Sequence, residues 1–133
     1  MKRAERLNPA ALRTMHQGEL DSYAALSGDL NPIHGDHAQA VKAGHPGVIC
    51  HGMLSMTDIG HWLIGEMKGR RLITISCRFA APMSVGTRLT VSGVCTAQRT
   101  DDGDGIAVDG IAIDFVAKEA EGEIRVTGRA VFV

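Results

Sequence analysis

One stretch of this 133-residue chain cannot fold by itself. Residues 51–69 read HGMLSMTDIGHWLIGEMKG, and Met53, Met56, Gly60, Leu63 and Met67 recur at three- and four-residue steps. That is the spacing of one helical face. Leu54, Ile59, Trp62 and Ile64 fill other faces, and only Asp58, His61 and Glu66 interrupt them. A helix apolar around most of its circumference is a buried helix, so other elements must wrap it.

The second half of the chain supplies a wrapper. In RRLITISCRF, Ile73, Ile75, Cys77 and Phe79 alternate with Thr74, Ser76 and Arg78. This is strand periodicity with one wet face. RLTVSGVCTAQR places Leu89, Val91, Gly93 and Cys95 on a second such face, and TDDGDG after it is a hairpin turn signal. IAVDGIAIDFVAK and EIRVTGRAVFV read as two more strands joined by the turn EAEG, and the stretch near Leu12–His16 as an edge strand. Consecutive strands with short turns imply an antiparallel sheet. The reading is one α+β domain over residues 1–133, a curved sheet round a long central helix. One sheet of this size leaves an open edge and side, which a homodimer or heterodimer would complete.

Composition narrows the function classes. Fourteen basic residues balance fifteen acidic ones, and no long basic run exists, which argues against nucleic acid as the main partner. No apolar run approaches the ~20 residues of a membrane span. The opening MKRAERLNPAAL lacks the apolar segment of a secretory signal, so the cytoplasm is the default location. Cys50, Cys77 and Cys95 are odd in number and form no Cys-x-x-Cys pair, as expected of reduced thiols.

The chemistry concentrates in SGDLNPIHGDHA, residues 27–38. A short helix over GELDSYAALSGD, with Leu20, Tyr23, Ala24 and Leu26 at helical spacing, leads into it. A second one, DHAQAVKAG, leads out, with Asp36 as its N-cap and Gly44 as its stop. Pro32 forbids a continuous helix and pushes Asn31 toward an extended backbone. The chain therefore turns between Asp29 and His34, and their side chains can converge as an acid/base pair. Taken alone, Asp29 also reads as a turn residue bonding its own backbone, and His34 as a loop histidine. Asn31 reads as structural. His37, His45 and His61 read as surface or packing residues.

A second feature is HGML, which puts His51 and Gly52 at the start of the apolar helix. Such an N-terminus offers free N–H groups, and glycine permits close approach. It suits an oxyanion.

Together these features carry a resemblance. YAALSGDLNPIHGDHAQAVKAGHPGVICHGML, residues 23–54, resembles the hydratase signature of the MaoC-like family of (R)-specific enoyl-CoA hydratases and dehydratases. RFAAPMSVGTRLTV resembles the family's strand-turn-strand. The chain is also similar to the catalytic subunits of actinobacterial (3R)-hydroxyacyl-ACP dehydratases, which pair with a second chain lacking the dyad. The resemblance implies a single hot-dog fold, Asp29 and His34 as catalytic dyad, the Gly52 backbone N–H as oxyanion donor, and Asn31 as holder of the loop. A hydroxyl found on the central helix of some members falls at Gly60 here, with Ser55 or Thr57 as substitutes. His51 belongs to the supporting set. The implied reaction is reversible hydration of trans-2-enoyl thioesters to (3R)-3-hydroxyacyl thioesters. It needs no metal and no cofactor beyond the CoA or acyl-carrier pantetheine of the substrate. The acyl chain would run between central helix and sheet, near Met53, Met56 and Trp62.

Three rival readings accompany it. A hot-dog thioesterase would use a carboxylate and an oxyanion hole on the same substrates. A metal hydrolase would draw ligands from His34, Asp36, His37, His45 and His51, although no pair has zincin spacing. A non-catalytic acyl-binding subunit would need neither Asp29 nor His34.

Overall fold

The computed structural model describes residues 5–119 and 122–133. Strands β1 (Glu5–Arg6) and β2 (Ala10–Ala11) open the chain, followed by helices α1 (Gln17–Ser27), α2 (His37–Lys42) and α3 (Gly52–Glu66). Between α1 and α2 lies a 3-10 turn, Pro32–His34. Four longer strands complete the fold: β3 (Leu72–Phe79), β4 (Leu89–Asp101), β5 (Ala107–Glu119) and β6 (Ile124–Phe132).

All strands join one antiparallel sheet in the order β1-β4-β5-β6-β3, with β2 also on β4. The alternation read in β3 and β4 is observed over residues 73–77 and 89–93, with Leu89, Val91 and Gly93 inward, but Phe79, read onto the inner face of β3, is 44% exposed at the strand end. The TDDGDG turn is built by its aspartates: Asp101 Oδ1 accepts the Gly103 and Gly105 N–H groups, and Asp102 Oδ1 those of Asp104 and Ile106. The middle of the expected EAEG turn, residues 120 and 121, lies outside the described residues.

The core is the layer between α3 and the sheet. Leu54, Ile59 and Leu63 of α3 join Leu89, Val91, Ile113, Phe115, Val126 and Phe132 in one buried cluster. Gly128, opposite both Cys77 and Phe115, lets the Phe115 ring lie across it. A Cβ at Gly128 would overlap the Phe115 ring and the Ser76 carbonyl. This is the hot-dog arrangement, α3 as filling against one sheet.

Three expectations are corrected. The edge pairing falls at residues 5–6 and 10–11 rather than over Leu12–His16. Pro9 has no N–H and interrupts the ladder between them, while Leu12 and Met15 still donate to Leu89 and Thr87. Leu26 is not on the buried face of α1 but 88% exposed. And the chain wraps α3 on one side only: Leu54, Ser55, Ile59 and Leu63 are buried, whereas Met53 and Ile64 are about half exposed, at 54% and 50%. Hydropathy counts apolar faces; it does not say which face its own sheet reaches.

Candidate active site

The turn that carries the site is assembled from side-chain to backbone hydrogen bonds. Helix α1 stops at Gly28, whose φ of 79° is left-handed, and the Gly28 N–H closes on Ala24 O. Asp29 Oδ1 then accepts the Asn31 N–H at 3.3 Å, and Asn31 Oδ1 accepts the Ile33 N–H at 3.2 Å. Asp36 Oδ1 accepts from Gln39 N and caps α2. Each short polar residue bonds two or three positions ahead, so the chain is fixed locally without helix or strand. Asn31 thus holds the loop, and Asp36 is the N-cap expected.

His34 is oriented from outside that turn. Its Nδ1 lies 2.8 Å from Ile49 O. A carbonyl only accepts, so Nδ1 carries a proton, and in the neutral ring Nε2 presents the lone pair. Nε2 is 3.8 Å from Asp29 Oδ2, with the His34 side chain 11% exposed and Asp29 48%. The segment carrying Ile49 is pinned in turn: Ile49 N donates to Ile33 O, and Cys50 N to Met83 O. Gln17 Nε2 donates to His34 O at 2.9 Å and to Asp21 Oδ1 at 2.9 Å. Gln17 is a site residue that the sequence reading missed. It bonds across 17 positions, and no local pattern carries such a signal.

Beneath His34 lies His51, the N-cap residue of α3. The two imidazoles stack with centroids 3.8 Å apart and planes 25° apart, and Tyr23 meets His51 edge-on at 4.8 Å. His51 is 2% exposed and, among the described residues, neither ring nitrogen makes a hydrogen bond of good geometry. Burial, and then His34, push its proton affinity below the ordinary histidine value; the Asp29 carbonyl and carboxylate oppose this. The next residue, Gly52, is the first of α3, and its N–H donates to no backbone group among the described residues. The Phe79 ring stands 3.1 Å from where a Gly52 Cβ would be.

The other expected contributors are not brought to the pair. Ser55 is buried with its hydroxyl against Met83 Sδ, at 4.0 Å. Thr57 is exposed and donates back to Met53 O at 2.9 Å. Both hydroxyls are thus engaged away from the pair, and at Gly60 a Cβ would meet nothing within 4 Å. His37 and His61 are exposed and His45 half-buried. Cys50, beside His51, is buried, and burial pushes its thiol up to about 11, so it stays a protonated packing residue.

The titratable atoms that do converge, among the described residues, are those of Asp29, His34 and His51, all within 4.8 Å of one another. The stacking makes this a poor ligand set. Lone pairs lie in the ring planes, and planes tilted by only 25° at 3.8 Å do not meet at a metal's bond length. A cleft of about 200 Å³ reaches Asp29 and His34 between α1 and the 3-10 turn, past Asp21, Ala24, Leu30 and Pro32.

The sequence matches the MaoC like domain over residues 3–112. The chain belongs to the MaoC-like family. Among relatives, it is 36% identical over 86 residues to an (R)-specific enoyl-CoA hydratase of Aeromonas caviae, covering 62% of this chain and 63% of that protein. It is 34% identical over 77 residues to 3-hydroxyacyl-thioester dehydratase X of Mycobacterium tuberculosis, covering 56% of this chain and 26% of that one. The matches thus span less than two thirds of these curated relatives. In three dimensions it superposes on the (R)-hydratase from A. caviae involved in PHA biosynthesis with a TM-score of 0.82 and 27% identity, over 99% of this chain and 96% of the other.

Proposed function

We propose that this MaoC-like chain hydrates trans-2-enoyl thioesters reversibly, giving (3R)-3-hydroxyacyl thioesters. The observation that carries the reading is the Asp29–His34 pair, with Nδ1 locked on Ile49 O and Nε2 facing a carboxylate oxygen at 3.8 Å. That separation is too long for a direct hydrogen bond and joins two acceptors. It suits one water donating a hydrogen to each. The enoyl double bond is conjugated to the thioester carbonyl, so C3 is electrophilic. The water oxygen bonds to C3 while the pair accepts one proton, and the pair returns one proton to C2. Atoms balance as enoyl thioester plus water. Dehydration is the same path reversed.

Negative charge gathers on the thioester oxygen as C3 is attacked. The free Gly52 N–H at the head of α3 is the proposed donor to that oxygen, where the helix dipole adds to it. This scheme uses no metal and no redox cofactor; the CoA or acyl-carrier pantetheine arrives with the substrate. The interior between α3 and the sheet is filled by Leu54, Ile59 and Leu63. An acyl chain following α3 would therefore lie toward exposed Met53 and half-buried Met56 rather than through the core.

We further propose that the chain works as a dimer. The outer edge of β3 is unpaired among the described residues, and α3 leaves Met53 and Ile64 open. An unpaired edge beside an uncovered apolar face is completed by a second sheet. No described helix is long and apolar enough to cross a membrane.

The test follows loss of the ultraviolet absorbance of a conjugated enoyl thioester, with crotonyl-CoA and a long-chain enoyl-CoA. Wild type should bleach it and Asp29→Asn should not. Release of free thiol without hydration would instead establish a thioesterase.

A further inference from the structure

The feature left unused by this mechanism is the His51 ring. Burying a polar ring with no hydrogen bond is unfavourable, yet His51 is 2% exposed and, among the described residues, both its nitrogens are unpartnered and sealed from solvent. We infer that His51 is a positioning residue, an aromatic wedge whose face sets the ring plane of His34 and ties it to the α3 terminus that presents Gly52.

The inference rests on the hydration reading for its kinetic consequence, and on geometry for the rest. One hydrogen bond, Nδ1 to Ile49 O, fixes an edge of the His34 ring but leaves its plane free to swing. The stack at 3.8 Å supplies the missing restraint, because tilting His34 would drive it into the His51 face. Tyr23 of α1 meets the same ring edge-on and keeps the wedge from following. His51 is also the residue before Gly52, so any movement of its backbone carries the oxyanion donor with it. The sealed nitrogens do not reach substrate; the residue acts through His34. The groups facing it are His34 from the 3-10 turn, Asp29 from the preceding loop and Tyr23 from α1. Burial lowers its proton affinity, so the wedge takes up a proton less readily than an ordinary histidine.

The experiment compares His51→Ala and His51→Phe in the full chain, with folding checked by circular dichroism. Replacing the ring by a methyl should lower kcat about 100-fold with KM little changed, as expected for a misplaced reacting group. Phenylalanine restores a flat face without nitrogens and should recover kcat to within about tenfold of wild type. Should either variant not fold, Tyr23→Leu withdraws the edge contact while keeping an apolar side chain against the core, and should lower kcat at unchanged KM. Nitrogen NMR of the His34 ring gives a readout independent of turnover: one tautomer, protonated at Nδ1, in wild type, and a mixture in His51→Ala, where the freed ring swings off Ile49 O. Wild-type kcat in His51→Ala or Tyr23→Leu would overturn the proposal. So would equal losses in folded Ala and Phe variants, or mixed His34 tautomers in wild type. A wild type that hydrates no enoyl thioester but keeps one tautomer would sink the functional reading and leave the positioning intact.

Discussion

Gly52→Pro removes the N–H at the head of α3 and puts the proline ring Cδ in its place. Gly52 is the first residue of α3, the position where proline is best tolerated because its N–H has no helical acceptor. Proline also demands an extended residue before it, and His51 already has φ −68° and ψ 129°. No ladder bond is lost, since the Gly52 N–H donates to no backbone group among the described residues. The Cβ would lie 3.1 Å from the Phe79 ring, which is 44% exposed and free to yield, and Cδ points to where the substrate oxygen would sit. Helix and stability should therefore survive, and the effect should fall on the transition state. Losing one oxyanion donor typically costs ~10²–10³ in kcat, or about 2.7–4 kcal/mol. Gly52→Ala, which adds the same Cβ and keeps the N–H, is the control and should stay within about tenfold of wild type. The assay is steady-state hydration of an enoyl-CoA beside a thermal melt. Equal rates for the proline and alanine variants would refute the assignment of Gly52 as donor.

Other expected outcomes follow from single contacts. Gln17→Leu removes a part-buried bond to His34 O, about 1 kcal/mol, and an exposed one to Asp21, about 0.3 kcal/mol. The melting temperature should fall by about 5 °C and kcat by no more than about tenfold; an unchanged melt would show the bond is not made in solution. Gly128→Ala forces a methyl into the Phe115 ring and the Ser76 carbonyl, and should destabilise by about 3 kcal/mol, read by urea unfolding. The His51 proton affinity is lowered in the fold from an ordinary 6.5. The unfolded chain therefore protonates first, so this contribution is complete above about pH 6.5 and is lost as pH falls below it, at no more than about 1.4 kcal/mol per pH unit. Melts across pH 5–8 should show that acid-side slope shrink in His51→Phe.

Much of this architecture was legible in the sequence, for identifiable reasons. Period-two alternation is enforced by the pleat, so the inward face of β4 could be read directly from Leu89, Val91 and Gly93. The Asp29–His34 turn was legible because Asn31, Pro32 and Asp36 act on backbone within a few positions of themselves. What stayed hidden was tertiary. Gln17 reaches His34 across a fold, and the stacking of His51 depends on two chain segments meeting. The one-sided cover of α3 was misread because an apolar surface does not name its partner. What the Ser55 and Thr57 hydroxyls contact was not legible, because a hydroxyl on a helix has a buried neighbour or a backbone carbonyl as ready alternatives.

The most direct measurement is a double-mutant cycle on the pair. Asp29→Asn, His34→Gln and the double variant are compared with wild type in enoyl-CoA hydration, with the configuration of the product determined. Two groups that hold one water act as a unit. Each single change should lower kcat by about 10²–10⁴, the double change should lower it little further, and the product should be the (3R) alcohol. Losses that simply multiply, or a single variant with wild-type activity, would contradict the account.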